Sequence, residues 1–123
     1  MERYKLGEME ARFADLIWAQ APIRSGDLAK LCEKQFDWKR TTTYTMLKRL
    51  CSRGIFSNEN GTVLIKMTKE EFQAGQGSAF IQEHFEGSLP LFLTAFSRKN
   101  KLKKEDVEKL QQLIDSYRKE EKP

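Results

Sequence analysis

The chain has 123 residues, one third of them charged and 39% apolar, so its core is modest and suits one compact domain with an appendage. The net charge of +4 is unevenly placed: residues 1–67 hold twelve Lys/Arg against eight Asp/Glu, whereas residues 68–123 hold ten against ten. No run approaches the roughly 18 consecutive apolar residues of a membrane span, and MERYKLGEMEARF lacks the apolar region of a signal peptide. A cytoplasmic protein with no direct membrane association is therefore expected.

Met9, Phe13, Leu16 and Ile17, with Trp18 adjoining, mark an amphipathic first helix that opens after Gly7, with Glu8 and Glu10 near its positive end. Ala21-Pro22 stops it. Ser25 is then the expected N-cap of a second helix whose Leu28, Leu31, Cys32 and Phe36 face a core. Cys32 and Cys51 stand alone, with no C-x-x-C and no neighbouring His, so two reduced thiols are expected and neither a metal nor a cofactor is indicated.

From Trp38 to Gly54 the chain reads WKRTTTYTMLKRLCSRG, with five cations (Lys39, Arg40, Lys48, Arg49, Arg53), four threonines and no acid. On a helix starting near Thr41, Thr43, Met46, Leu47 and Leu50 share one face at core-docking spacing. Thr41, Thr42, Tyr44, Thr45 and Lys48 then project outward, with Ser52 further along, and Gly54 ends the helix. Threonine brings a hydroxyl and a methyl that suit base edges in a major groove, and flanking Lys and Arg neutralise phosphates. The alternative is a solvated helix whose threonines merely lower helix propensity. A basic, acid-free face of β-branched hydroxyls favours DNA.

After Gly54 the period changes. IFSNENGTVLIKMT holds two β-forming runs around Asn60-Gly61, a strong hairpin signal. A hairpin directly after a recognition helix reads as a wing: Asn58, Asn60 and Thr62, with Lys66 beyond, are placed to touch the DNA backbone, and Ile55, Val63 and Ile65 to close the core. From Thr68, a further N-cap, the chain turns helical again. Phe72, Phe80, Ile81, His84 and Phe85 form a stripe that Gly75 and Gly77 interrupt, which predicts a bend or mobility near the start of this helix. A helix from Ser88 carries Leu89, Leu91, Phe92, Leu93 and Phe96, and a last one presents Val107, Leu110, Leu113, Ile114 and Tyr117. Three helices with this much apolar surface predict a homodimer interface, formed by Phe80, Phe85, Leu89, Phe92, Leu93, Phe96, Leu110, Leu113 and Ile114. His84, on an apolar stripe, reads as a packing residue rather than a ligand.

The expected architecture is mainly α with a small β-hairpin wing: a winged helix-turn-helix domain over residues 1–68 and a helical dimerisation domain over 69–123. LGEMEARFADLIW, DLAKL, the Trp38–Gly54 tract and F85-E-G-S-L89 together resemble the penicillinase-repressor (BlaI/MecI-type) transcriptional regulators, which include the copper-responsive CopY-type repressors. The most specific element is T-x-x-T-x-L-x-R-L-x-x-[KR]-G, here Thr42, Thr45, Leu47, Arg49, Leu50, Arg53 and Gly54. The resemblance implies a homodimer on a palindromic operator, with Thr42 and Thr45 reading bases, Lys39, Arg40 and Lys48 nearby, and control of an antibiotic- or stress-resistance operon. Many family members have Val or Ile at the position of Thr43 and a smaller polar residue at that of Tyr44. CopY-type members carry a C-terminal Cys-rich metal motif, which this chain lacks after Cys51. Penicillinase-type members are inactivated by a membrane sensor protease at an Asn-Phe bond. Here the aligned bond is Ala95-Phe96, matching in the Phe and not in the Asn.

Other function classes fit less well. An enzyme lacks support, with no Gly-rich phosphate loop, nucleophile elbow or metal-ligand cluster. A winged helix used for protein contacts predicts an apolar or acidic third helix, the opposite of this one. A nonspecific architectural binder predicts more net charge and less dedicated dimer surface.

Overall fold

The computed structural model describes residues 2–121. A short 3-10 turn at Glu2–Tyr4 precedes α1 (Glu8–Gln20), β1 (Ile23–Arg24), α2 (Ser25–Phe36), α3 (Arg40–Ser52), β2 (Phe56–Glu59), β3 (Thr62–Ile65), α4 (Lys69–His84), α5 (Leu89–Lys99) and α6 (Lys104–Glu121). The strands form one antiparallel sheet in the order β1-β3-β2. A mostly helical chain with a small wing sheet is the expected winged-helix fold, and β1 is an addition. Two residues long, β1 is set by pairing Ile23 with Val63 and Arg24 with Thr62 rather than by any local pattern.

Two compact units divide the chain, one up to Phe80 and one from Ile81. The first is built around Phe13, Ile17, Leu28, Leu50, Ile55, Phe56 and Val63, all essentially solvent-free. Its aromatic residues form a chain of tilted contacts: Trp38 lies between Phe13 and Phe36, and Trp18 between Phe56 and Phe72. The Trp18 indole N–H donates to the Met67 carbonyl at 2.9 Å, so the polar end of this large side chain is satisfied while its rings pack.

Local chemistry explains most element ends. Gly7 N–H donates to Glu10 Oε1 at 2.9 Å as α1 begins. Thr68 and Glu71 exchange reciprocal capping bonds of 2.9 and 3.1 Å ahead of α4, and Ser88 Oγ accepts from Leu91 N–H at 3.1 Å to open α5. Asn60 and Gly61, with φ of 53° and 85°, make the two-residue turn that matches strand twist, and Gly54 at φ 80° follows α3.

Four expectations need correction. Ser25 does not cap α2 from outside: it is the first helical residue, Arg24 takes the cap position without a side-chain bond, and Ser25 N–H is satisfied by the Gly61 carbonyl at 2.8 Å. Ile65 is exposed, because Lys66 and Met67 N–H both bond the Ile55 carbonyl and turn the chain, so that Met67 and Phe56 fill the core instead. Gly75 and Gly77 do not interrupt α4. At Gly75 the helix passes the Tyr4 ring so closely that a Cβ would collide with it, and Tyr4 also packs on Phe72, which is buried in the first unit. His84 is exposed, with Nε2 3.9 Å from a Glu83 carboxylate oxygen.

In the unit from Ile81 onward, Phe85 meets Phe92 edge-on at 5.2 Å and Phe92 meets Phe96 at 5.9 Å. No residue of α5 is fully buried, and Leu89, Phe96, Leu113 and Ile114 are about half exposed.

The two α4 glycines should respond oppositely to alanine. Gly75→Ala forces the Tyr4 ring off its packing and should destabilise by about 1–2 kcal/mol. Gly77→Ala meets nothing within 4 Å and should stabilise by about 1 kcal/mol through helix propensity. Urea denaturation of the two variants beside wild type measures both signs.

Candidate nucleic-acid interface

α3 is buried on one side alone. Thr43, Leu47 and Leu50 are solvent-free or nearly so, Met46 is half-buried, and Thr41, Thr42, Thr45, Lys48 and Arg49 are exposed. The inward set follows the i, i+4, i+7 spacing of a docked helix and meets α1 and α2 in the shared core. The Thr43 hydroxyl is fully buried without a hydrogen-bond partner and lies against the Cys32 thiol. Burial pushes the Cys32 thiol above its ordinary range, opposed by Thr43, and burial alone does the same for Cys51. Both cysteines are free and held as thiols.

On the outward side, Thr41, Thr42, Thr45 and Met46 edge a shallow depression. Hydroxyls, methyls and one thioether line it, a mixture that can meet both polar base edges and a thymine methyl. Lys39, at the cap position, and Lys48 are exposed and carry no ion pair among the described residues. Arg40 is held in place: its Nη2 donates to the Tyr44 hydroxyl at 3.3 Å while its guanidinium stacks 5.6 Å from that ring.

Tyr44 is half-buried rather than projecting freely. A hydrogen bond with Ser25, and then the one from Arg40, hold its phenol below the ordinary range. Ser25, at the start of α2, therefore lies near the outer edge of α3, a proximity that helical periodicity does not reveal.

The remaining two cations of the tract are committed inward. Arg49 and Arg53 lie 3.6 and 3.7 Å from one Glu10 carboxylate oxygen, which is buried. Those distances attract but are too long for hydrogen bonds. Arg53 also donates to the Lys5 carbonyl at 2.7 Å, locking the end of α3 to the N-terminal segment. Arg49, half exposed and seven residues from Thr42, stays at the edge of the outward face.

The wing is close to expectation, with one addition. Asn58 and Asn60 are exposed near its tip, and Lys66 is exposed just past β3. Asn58 Oδ1 accepts from Gly61 N–H at 3.0 Å, so this side chain holds the turn. Arg24 is the addition, a residue that the hairpin signal does not indicate. Through β1 it reaches the tip, donating to Thr62 Oγ1 at 3.1 Å and to the Asn60 carbonyl at 3.4 Å, and it adds the wing's own cation. Its only local signal is a cation beside Ser25; the strand pairing that places it is long-range.

The penicillinase repressor family model matches residues 6–116. The penicillinase repressor of Bacillus licheniformis is 20% identical over 122 residues, a match spanning 96% of this chain and 95% of that protein. The chain belongs to the penicillinase repressor family, DNA-binding repressors of transcription.

Proposed function

We propose that the chain represses transcription as a homodimer on a palindromic operator, with residues 1–68 reading DNA and residues 69–123 holding two copies together. The observation that carries this reading is the outward face of α3, where exposed threonines sit among cations with no carboxylate in the tract. Thr42 and Thr45 read bases from the major groove. Lys39, Arg40, Thr41, Tyr44 and Lys48 frame them on phosphate or base edges, and Arg49 reaches a phosphate from its place beside Glu10. Asn58, Asn60 and Lys66 on and beside the wing contact the backbone. A protein of this kind works in the cytoplasm, and its regulated genes form an antibiotic- or stress-resistance operon. Among the described residues no helix is long and apolar enough to cross a membrane.

The dimer reading rests on apolar side chains that one chain leaves in solvent: Leu89, Phe96, Leu113 and Ile114 are 42–54% exposed, Phe85, Phe92, Leu93 and Leu110 are only half-buried, and Phe80, at the end of the first unit, is 48% exposed. Large apolar side chains exposed in this number are the usual mark of an interface. Release then follows from loosening the arm. The Ala95-Phe96 bond lies inside α5, so a membrane sensor protease needs that helix to unwind before its backbone can be gripped. With Ala in place of Asn, an inducer acting on the same arm is the favoured route.

Three measurements test these assignments. Lys48→Ala should weaken binding to all duplex sequences alike and reduce the salt slope by about one per half-site contact, whereas Thr45→Ala should cost about 1–3 kcal/mol mainly on the selected operator. Titrations on selected and scrambled duplexes separate the two, and a sequence-selective lysine effect with a uniform threonine effect overturns the assignment. Leu113→Asp with Ile114→Asp, both on an exposed face, should give a folded monomer by sedimentation with operator affinity reduced at least tenfold, because the second half-site no longer binds intramolecularly; a stable dimer refutes the arm as the interface. Blotting the repressor from cells given a β-lactam addresses release. Full induction with an intact band rules out proteolysis, and a fragment ending at Ala95 establishes it.

A further inference from the structure

Five of the seven residues from Arg98 to Lys104 are cations: Arg98, Lys99, Lys101, Lys103 and Lys104. Arg98 and Lys99 finish α5, Lys104 begins α6, and Lys101 and Lys103 lie in the connection between them. All five are exposed, and none has an ion-pair partner among the described residues. The rest of residues 81–121 holds three cations against eight acids, so this unit is electrically divided into one short positive loop and a negative remainder.

Folding does not account for that division. Arg98 and Lys99 suit the negative end of α5. Lys103, however, stands before the first turn of α6, where its carbonyl accepts from Val107 N–H at 3.0 Å, and Lys104 is the first helical residue. Both face the positive end of the helix dipole, at positions that favour Ser, Thr, Asp or Asn. Five like charges within seven residues also leave neighbouring cations of the row close enough to repel one another, since screening acts only over a Debye length of about 8–10 Å. The acids Glu105 and Asp106 that open α6 already serve its dipole, and they leave the five cations unpaired.

A closely spaced row of cations is matched by a closely spaced row of anions. Duplex DNA carries one charge per roughly 1.7 Å of axis, and binding it releases counterions in proportion to the cations engaged. The segment contains no aromatic ring to stack on bases, which argues against single strands. Its one apolar side chain, Leu102, is half-buried, which leaves nothing to insert into a lipid surface. We propose that the α5–α6 loop is a second DNA-contacting surface, binding duplex phosphates without sequence preference and adding affinity to the bases read by α3. The proposal rests on the reading of this chain as a DNA-binding dimer.

The test uses the full-length protein and a labelled random-sequence duplex, with affinity measured by anisotropy across a range of salt. Lys101→Gln, Lys103→Gln and Lys104→Gln together should make the salt slope shallower by roughly 2–3 per loop engaged and weaken low-salt binding on the order of tenfold. The charge-keeping triple change to Arg should retain both, and the dimer should sediment unchanged in either. If the glutamine triple binds as wild type while Lys39→Gln with Lys48→Gln loses slope, the α3 reading stands and the loop proposal fails. If wild type itself shows no salt-dependent duplex binding, both fall. An unchanged DNA slope with a weakened dimer, or with lost binding to phosphatidylserine vesicles, assigns the loop to a protein or lipid contact and overturns the proposal.

Discussion

The one-sided burial of α3 is the constraint on which the rest depends. Thr43, Leu47 and Leu50 are sealed into a core shared with Phe13, Ile17 and Leu28, and close-packed interiors do not let a helix rotate about its axis. With the inward face immobilised, every outward side chain has a fixed direction. Thr42, Thr45 and Lys48 therefore present a defined pattern before any ligand arrives, which lowers the ordering entropy that recognition must overcome. Thr43 shows the trade at this face. Its hydroxyl is buried with no partner, a cost of about 1–3 kcal/mol for such a group, and the surrounding apolar burial outweighs it.

The edges of the same helix are tied by polar contacts of opposite character. On one side Glu10 draws Arg49 and Arg53 toward α1. On the other, Arg40 holds Tyr44 at the edge of α3 that lies near Ser25 at the start of α2. Between these lies the exposed face of α3, with Lys39 and Lys48 uncompensated by any acid in the tract. The charge pattern is thus sorted rather than merely basic: Arg49 and Arg53 are drawn toward Glu10, while Lys39 and Lys48 stay exposed.

Trp18 extends the arrangement to the wing and to α4. One indole packs on Phe56 of β2 and Phe72 of α4 while its N–H holds the Met67 carbonyl. The wing and the start of α4 are therefore anchored to the same side chain of α1, and Lys69 adds an ion pair to Asp15 at 3.0 Å. That pair is solvent-exposed and contributes little energy; the aromatic burial carries the attachment.

What the sequence alone determined was whatever depends on near neighbours in the chain. Periodic apolar residues located the helices and the buried side of α3. Thr68 announced its cap, Ser88 the start of a helix, and Asn60-Gly61 the hairpin, because each signal is complete within a few residues. Most outward residues of α3 were legible for the same reason, since one face of a helix follows from the other. Tertiary structure decided the rest. β1 exists because Ile23 and Arg24 meet β3 some forty residues on. Tyr44 lies near Ser25, Arg49 is held by Glu10, and Gly75 is required by Tyr4. Phe72 left the apolar stripe of its own helix for Trp18 and Tyr4, while Ile65 and His84 were left in solvent. Each of these outcomes turns on a partner distant in sequence or on the path of the chain past it, and apolar periodicity names a side chain's face without naming what covers it.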